Sequence, residues 1–320
     1  MRDLPVAPRV VTLGEGLALV RGDGLGSFAH LASAVLGTGG AEANVAIGLS
    51  RLGIGATWLG RMGDDSLGRR VMRELRAEGV DARVVIDDSA PTGLMLKELP
   101  APGRTVVTFY RAGSAGSRLG PADVALLDIP SAALLHVTGI LPALSPVAAA
   151  ASAAAVQSAQ ENGVPISFDV NHRERLWRAA DAAPHYQRLA SAAQIVFGGV
   201  DELELLVGSH TDDRSLAKAV AALGPADVIV KRGEQGAAVL SAGEWAELPA
   251  SPVTVVDTVG AGDAFVAGYL AERLNGAPVA LALATAVRTG AAACESPGDW
   301  EGASYRSDLE RAASKDPVSR

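Results

Sequence analysis

Short runs of aliphatic and β-branched residues alternate with longer segments of helical period along most of this 320-residue chain. Four of these runs have the length and composition of buried strands, and they lie at Leu134–Thr138, Ile166–Val170, Ile195–Gly198 and Val228–Lys231. Helical segments separate these runs, so the chain crosses over between one strand and the next. This alternation predicts an α/β fold in which helices cover both faces of a mostly parallel sheet.

Two stretches interrupt the alternation. Residues 17–35 are rich in glycine and show no strong helical period, whereas residues 83–111 contain two strand-like runs around a turn at Pro100–Gly103. A strand, a turn and a strand in succession are typical of a β-hairpin. We therefore expect one domain over residues 1–320, with a small β lid formed by 17–35 and 83–111. The charged segment after Arg306 is expected to fray, as chain ends often do.

Charge and cysteine content limit the class of partner. The net charge of −8 argues against nucleic acids and anionic membranes, because either would require a basic face. Cys294 is the single cysteine, so no intrachain disulfide forms, as expected in a reducing cytoplasm. The first residues lack the apolar core of a signal peptide, and the apolar runs are too short to span a bilayer. We expect a cytoplasmic protein that binds small molecules.

The segment Asp257–Asp263, with the sequence DTVGAGD, carries the strongest chemical signal. We expect it to follow a strand at Val253–Val256 and to open a helix. Its glycines and alanine at 260–262 would leave backbone N–H groups at the helix N-terminus, where negative charge is stabilised. Asp263 beside them would accept a proton from a hydroxyl, the pairing that phosphoryl transfer requires. The alternative is a common glycine turn in which Asp263 only caps the helix.

A second glycine pair precedes another predicted helix. Gly39 and Gly40 would lie against a ligand, and Asn44 on the first helical turn would offer an amide to hydroxyl groups. The alternative is an ordinary helix start with glycine at the cap.

Two arginines follow predicted strands. Arg111 ends the second lid strand, and Arg173 follows the buried strand at Ile166–Val170, where ligands of open α/β sheets bind. Two guanidinium groups that converge on one pocket would suit a carboxylate. The alternative for each is a solvated arginine at a strand end.

The two glycine motifs, in this order, resemble the signatures of the ribokinase-like (PfkB) carbohydrate kinases. The resemblance covers nearly the whole chain and implies a Rossmann-type three-layer α/β sandwich with a small β-sheet lid. It implies ATP and Mg²⁺ as cofactors and Asp263 as the catalytic base. The anion hole would be formed by Gly260, Ala261 and Gly262.

Within the family, the chain most resembles the kinases of 2-keto-3-deoxygluconate. The runs that carry this resemblance are Tyr110–Ser117, Gly139–Ser145, Phe168–Arg173 and Gly298–Ala303. It implies substrate contacts from Gly39, Gly40, Asn44, Met95, Phe109, Arg111, Arg173 and Asp299. Met95 and Phe109 stand on the lid where this subgroup often has aromatic residues with hydroxyl groups, which leaves the gluco and galacto epimers of the sugar acid undecided.

The resemblance also assigns a nucleotide site. Its members are Asn171, Lys231, Gly233, Gly236, Gly260 and Gly262. On sequence alone, Lys231 and its glycines are almost equally well explained as a β-turn with a chance lysine. The Mg²⁺-associated motif N-x-x-E keeps Glu202 but has Gly199 in place of Asn, and Val287 stands where the family often has an Asn near the adenine.

The predicted activity is ATP-dependent phosphorylation of the terminal hydroxyl of a sugar acid, with 2-keto-3-deoxygluconate giving its 6-phosphate. One alternative is a neutral-sugar kinase of the fructokinase or ribokinase type. Another is a kinase-like sensor that binds sugar or nucleotide without turnover. We also expect copies of the chain to associate through the lid into a homo-oligomer.

Overall fold

The computed structural model describes residues 8–101 and 104–313. The strands are β1 (Arg9–Leu13), β2 (Leu17–Gly22), β3 (Ala34–Gly39), β4 (Gly55–Gly63), β5 (Asp81–Asp87), β6 (Gly93–Ala101), β7 (Arg104–Tyr110), β8 (Leu134–Thr138), β9 (Ile166–Asp169), β10 (Ile195–Gly199), β11 (Asp227–Lys231), β12 (Ala237–Ser241) and β13 (Glu244–Leu248). The α-helices are α1 (Ala41–Arg51), α2 (Ser66–Ala77), α3 (Leu141–Leu144), α4 (Pro146–Glu161), α5 (Ala179–Ala192), α6 (Val200–Val207), α7 (Asp213–Ala221), α8 (Ala261–Leu274), α9 (Val279–Ala293) and α10 (Arg306–Ala313). Short 3₁₀ turns lie at Gly116–Arg118, Pro121–Leu127, Ile129–Ser131 and Gly233–Gln235.

The large sheet has nine strands in the order β13-β12-β11-β10-β9-β8-β1-β4-β5. Neighbouring strands from β11 to β5 pair in parallel, and β12 and β13 add an antiparallel edge. The predicted mostly parallel α/β sheet is therefore confirmed. The carboxyl ends of its parallel strands meet along one edge, where ligands bind in such sheets.

Helices on both faces of the large sheet divide the hydrophobic core in two. α4 to α7 pack on one face with Phe168 and Tyr186, and α1, α2, α8 and α9 pack on the other with Trp58 and Tyr269. Small residues bring helices close together: a Cβ at Gly268 in α8 would lie only 2.3 Å from a side-chain atom of α9. The three-layer sandwich is confirmed. None of the described helices combines the length and apolar character needed to cross a membrane.

The lid is a separate four-stranded sheet in the order β3-β2-β6-β7. The expected hairpin is present as antiparallel β6 and β7, although residues 102–103 of its turn lie outside the described residues. β2 joins the two lid segments, because it pairs antiparallel with β3 and parallel with β6. Two boundaries of the predicted lid segments differ from those in the structure. Residues 83–87 belong to β5, which pairs with β4 in the large sheet, and β3 continues past residue 35 to Gly39.

The strand expected at Val253–Val256 does not form, and that prediction is wrong. The N–H groups of Val256 and Asp257 both donate to the carbonyl of Cys294 just after α9, at 2.8 and 3.2 Å. This segment therefore bonds to a helix end rather than to a strand, despite its β-branched composition.

The segment after Arg306 is helical over Arg306–Ala313, so the expected fraying is wrong for this part, and residues 314–320 lie outside the described residues. Leu309 is buried against the core next to α8 and α9, and the Arg306 guanidinium forms an ion pair with Glu272. These two contacts hold the helix in place.

Candidate active site

The turn Asp257–Asp263 leads into α8 where the motif predicts a helix start. Gly260 precedes the helix with φ of 80°, a conformation that favours glycine. A Cβ at this position would lie 1.6 Å from the carbonyl oxygen of Asp299. Glycine is therefore required here both by the backbone angle and by the close approach of the 298–301 segment.

The N-terminus of α8 offers backbone donors, because the first N–H groups of a helix have no intrahelical acceptor. The N–H of Ala261 donates to the carbonyl of Thr258 at 3.3 Å, which makes it the least available of the predicted donors. The N–H groups of Gly262 and Asp263 follow it in the first turn. These two groups are the better candidates for an anion hole.

Asp263 is almost fully buried in the first turn of α8. Burial raises the pKa of Asp263 to about 7, and the nearby carboxylates of Asp169 and Asp299 add to the rise. A hydrogen bond to its Oδ2 from Asn44 Nδ2, at 2.8 Å, and the charge of Arg173 act in the opposite direction. A carboxyl group that titrates near neutral pH is suited to take a proton and release it again.

Asn44 reaches Asp263 from α1, the helix that follows the first glycine pair. Gly40 has φ of 134°, and a Cβ there would lie 2.2 Å from the carbonyl oxygen of Glu15, so α1 starts tightly against the end of β1. Asn44 Oδ1 is buried and has no hydrogen-bond partner among the described residues. The amide nitrogen thus orients Asp263, and the amide oxygen is left as an unused buried acceptor.

The two arginines predicted to hold a carboxylate lie in different environments. The side chain of Arg173, in the exposed loop after β9, forms no hydrogen bond or ion pair with any described residue. The guanidinium of Arg111 donates an Nε hydrogen bond to Glu15 Oε2 at 2.7 Å, and its Nη2 lies 2.7 Å from the same oxygen in an ion pair. Glu15, which sequence patterns do not single out, therefore forms an ion pair with Arg111. Arg173 has no such direct partner among the described residues, and its charge acts at longer range on Asp169, Glu202 and Asp263.

Several predicted substrate contacts meet between the lid and the large sheet. A Cβ at Gly39 would lie 2.2 Å from Asp299 Oδ2 and 2.4 Å from Met95 Cε, so these three residues converge. Met95 and Phe109 face each other across β6 and β7. Met95 is buried, whereas Phe109 is 38% exposed and lies beneath the Arg111 guanidinium at 4.4 Å.

Lys97 is a member of this region that was not predicted. Its side chain on β6 is fully buried and forms an ion pair with the carboxylate of Asp257. Its Nζ also donates to the Gly298 carbonyl at 2.6 Å and lies 3.6 Å from Asp299 Oδ1. Burial raises the pKa of Asp299 to about 6, and the Lys97 charge opposes the rise. The available signal was the alternation of β6, which places Lys97 on the same inward face as Met95.

Glu42 on α1 was also not predicted. Burial raises its pKa to about 7, against the effect of a hydrogen bond from the Thr138 hydroxyl. A Cβ at Gly14 would lie 2.2 Å from Glu42 Oε2, so the carboxyl group fills the space at the end of β1. A single acidic residue in the apolar helix Ala41–Arg51 was the available signal.

A cavity of about 850 Å³ opens beside the N-terminus of α8. Predicted nucleotide residues among its lining are Lys231, Gly233, Gly236 and Gly262. Apolar side chains from α8 and α9 line the other side, including Phe265 and Val287. An apolar cavity whose lining includes a lysine has the character of a site for a nucleotide.

Lys231 stands between this cavity and the predicted base. Its Nζ lies 2.7 Å from Asp169 Oδ1 and 3.8 Å from Glu202 Oε2. Burial lowers the pKa of Lys231, but the two carboxylates outweigh it and raise the pKa above its usual value. A Cβ on Gly262 would lie 3.9 Å from Nζ, which places this cation at the helix N-terminus.

Glu202 was the predicted metal residue. Its two carboxylate oxygens accept the N–H groups of Gly199 and His172 at 2.7 and 2.9 Å. Asn171, which has a positive φ of 41°, places its amide 3.4 Å from Asp169 Oδ2. No cluster of three or more His, Cys, Asp or Glu side chains in the described ranges would hold a metal alone. Mg²⁺ binds oxygen ligands and keeps several waters, so Glu202 fits an outer position behind water.

Comparison with known proteins gives consistent matches. A model of the pfkB family carbohydrate kinases matches residues 10–304. A 2-dehydro-3-deoxygluconokinase from Bacillus subtilis is 37% identical over 303 residues, or 93% of each chain. A fructokinase from Klebsiella pneumoniae is 32% identical over 95% of this chain and 98% of its own. The solved structure of a putative ribokinase II from E. coli in complex with ATP and Mg²⁺ has a TM-score of 0.86 at 27% identity, covering 95% of this chain and 98% of that one.

Proposed function

The chain belongs to the pfkB family of carbohydrate kinases, and from that premise we propose that it transfers the γ-phosphoryl group of ATP to the terminal hydroxyl of a sugar acid. The proposed substrate is 2-keto-3-deoxygluconate, which would become its 6-phosphate. The observation that carries the choice of a sugar acid is Arg173, whose guanidinium has no ion-pair partner among the described residues and is close enough to Asp263 to lower its pKa. A carboxylate is the ligand that such a group binds in a planar two-point contact.

The chemical step follows from the groups around Asp263. Its carboxylate accepts the proton of the sugar hydroxyl as the oxygen attacks the γ-phosphorus, the bond from that phosphorus to the β–γ bridging oxygen breaks and ADP leaves. Asn44 keeps the carboxylate oriented. The N–H groups of Gly262 and Asp263 stabilise the charge of the transferring group, and Lys231 adds a cation on the nucleotide side. Closure of the lid over the sugar excludes water and so limits ATP hydrolysis.

ATP would occupy the cavity that ends at Lys231, with its terminal phosphate at the α8 N-terminus. Mg²⁺, when bound, neutralises charge on the phosphate oxygens. Glu202 would hold that ion through water, since both of its oxygens already accept backbone N–H groups.

The direct test is ADP release over a substrate panel. The panel contains 2-keto-3-deoxygluconate, its galacto epimer, gluconate, fructose and ribose. We expect the highest kcat/KM with a 2-keto-3-deoxy sugar acid. Preferred turnover of fructose or ribose contradicts the proposed substrate, and binding without any ADP release supports the sensor.

A neutral-sugar kinase is the second candidate, because Glu15 already neutralises Arg111 and leaves one free guanidinium rather than two. The variant Arg173→Ala separates the candidates. For a sugar acid, the lost charge-assisted contact is worth about 1.5–3 kcal/mol, which raises KM by roughly 10- to 100-fold. Arg188→Ala, at an exposed position of α5, is the matched control. Equal effects of Arg173→Ala on acidic and neutral sugars would favour the neutral-sugar kinase.

A further inference from the structure

Lys97 carries a positive charge at a position without access to solvent. Its strand, β6, belongs to the lid, but its ammonium lies among groups of the three-layer domain. The contacts are an ion pair with Asp257, a hydrogen bond of 2.6 Å to the Gly298 carbonyl and an approach of 3.6 Å to Asp299. The lid is therefore fastened to the domain at this point by a buried charge.

Burial of an ammonium costs several kcal/mol unless its three N–H donors find good acceptors. The acceptors here come from two separate segments, and these segments also bond to each other. Asp257 accepts the N–H of Val259 at 3.2 Å and the N–H of Gly298 at 3.4 Å. Removal of the Lys97 charge would leave Asp257 buried without its counter-ion, so the whole network depends on this side chain.

Both segments held by Lys97 shape the catalytic turn. Asp257 is the first residue of the turn that ends at Asp263. The carbonyl of Asp299 occupies the space where Gly260 would carry a Cβ, and its carboxylate lies beside Gly39. A shift of either segment therefore moves the backbone donors of the anion hole or the wall of the sugar pocket.

We propose that Lys97 is a positioning residue for phosphoryl transfer, whose ammonium holds the catalytic turn and the Gly298–Asp299 segment in register with lid strand β6. It acts through Asp257 and Gly298 rather than on the substrate. This inference rests on the proposed kinase reaction but not on the identity of the sugar. The position of the lid and the geometry of the anion hole thus both depend on the Lys97 side chain.

The test uses Lys97→Met and Lys97→Ala in the full chain, assayed with whichever sugar the unaltered enzyme phosphorylates best. Displacement of catalytic groups by about 1 Å costs roughly 10²-fold in rate, so we expect kcat to fall about 10²-fold while KM for ATP changes less than about threefold. Lys218→Ala, at an exposed position of α7, is the matched control and should retain the unaltered kcat.

Chemical rescue separates positioning from simple stabilisation. Methylammonium fits the space left in Lys97→Ala and supplies N–H donors, so it should restore kcat by about tenfold or more. Tetramethylammonium at equal ionic strength has no N–H group and should not restore kcat. A variant with a lower Tm but an unaltered kcat per folded molecule overturns the proposal, as does equal rescue by both salts.

A double variant keeps the test decisive if the single variants fail to fold. Lys97→Met with Asp257→Asn removes both charges of the buried ion pair, so Asp257 is not left as a buried carboxylate without its counter-ion. We expect it to fold, to keep a low kcat and to exchange the amide hydrogens of residues 257–263 at least about tenfold faster, with β8 and β9 unchanged. Unaltered exchange in this turn overturns the proposal even without a known sugar. If instead the proposed substrate is wrong, the ADP-release panel with the unaltered enzyme shows it.

Discussion

Replacement of Asn44 by leucine should move the pH dependence of the enzyme in a defined direction. Asn44 Nδ2 donates to Asp263 Oδ2 at 2.8 Å and favours the ionised carboxylate. Leucine has a similar shape but no donor. The pKa of Asp263, about 7 in the unaltered enzyme, should therefore rise in the Asn44→Leu variant.

The size of the shift follows from the hydrogen bond that is lost. A hydrogen bond to a charged group contributes about 1.5–3 kcal/mol, and one pKa unit corresponds to about 1.36 kcal/mol. We therefore expect the pKa of Asp263 to rise by about 1–2 units. At pH 7 the fraction of Asp263 in the active, ionised form would fall from about one half to about one tenth or less.

The assay is kcat/KM for the sugar between pH 5 and pH 9.5, at saturating ATP and Mg²⁺. This ratio reports the ionisation of the free site, so its acidic limb should move to higher pH. The terminal phosphate of ATP also titrates near neutrality, but it does so equally for both proteins, and the difference between them isolates Asp263.

The control is Asn162→Ala, an exposed asparagine at the end of α4, which should leave the acidic limb in place. An acidic limb that stays in place in Asn44→Leu, or that moves to lower pH, would refute the assignment of Asp263 as the base held by Asn44. A loss of rate without any shift would show that Asn44 acts on the sugar alone.

Three further predictions follow from the same geometry. Asp263→Asn should lower kcat by a factor of roughly 10²–10⁴, whereas the affinity for ATP, measured by calorimetry, should be retained. An unchanged kcat would remove Asp263 from the mechanism. Glu42→Gln should match the unaltered protein in urea unfolding below pH 4. Since burial raises the Glu42 pKa from 4.5 to about 7, the unaltered protein loses stability as pH rises through that window, and at pH 8 the variant should be more stable by up to about 3 kcal/mol. An equal difference in stability between the two proteins below pH 4 and at pH 8 would contradict this prediction. Gly260→Ala should abolish most activity and lower Tm, because its Cβ meets the Asp299 carbonyl. Gly163→Ala is the control, because Gly163 has φ of 66° with open space around it and so measures the cost of the backbone angle alone. Equal losses of Tm in the two variants would show that the contact between residue 260 and the Asp299 carbonyl is unimportant.

The architecture was accessible from the sequence because strands and helices here are long and their apolar periods are clear. Asp263 and Asn44 were accessible because each follows glycines in a compact motif. The structure brings these two side chains into contact, although they lie 219 residues apart. Local pattern thus located the groups, and the parallel sheet explains why they meet at one edge.

The missed features depend on pairings that no local pattern contains. Glu15 binds Arg111 from 96 residues away, and Lys97 binds Gly298 from 201 residues away. The segment Val253–Val256 has the composition of a strand, but the N–H of Val256 bonds to the carbonyl of Cys294 just after α9. Tertiary contacts decide such cases, because local propensity is worth only about 1 kcal/mol per residue.

Association through the lid stays a prediction. Leu36 and Tyr110, on two lid strands, are 46% and 61% exposed. Sedimentation velocity would detect an oligomer, and the double variant Leu36→Lys with Tyr110→Lys should dissociate it. An oligomer that persists in this variant would place the interface elsewhere.

The lid is made from two excursions of the chain, which leave and re-enter the domain at four crossings. Glu15 lies in the first crossing, Gly40 in the second, residues 88–92 form the third, and Arg111 begins the fourth. Three of the four crossings therefore contain residues of the candidate site. The proposed sugar site and the connections between lid and domain therefore share residues, so a change of substrate range would require exchange of both excursions together with their crossings. A graft of the strands alone would separate the lid from the residues proposed to contact the sugar.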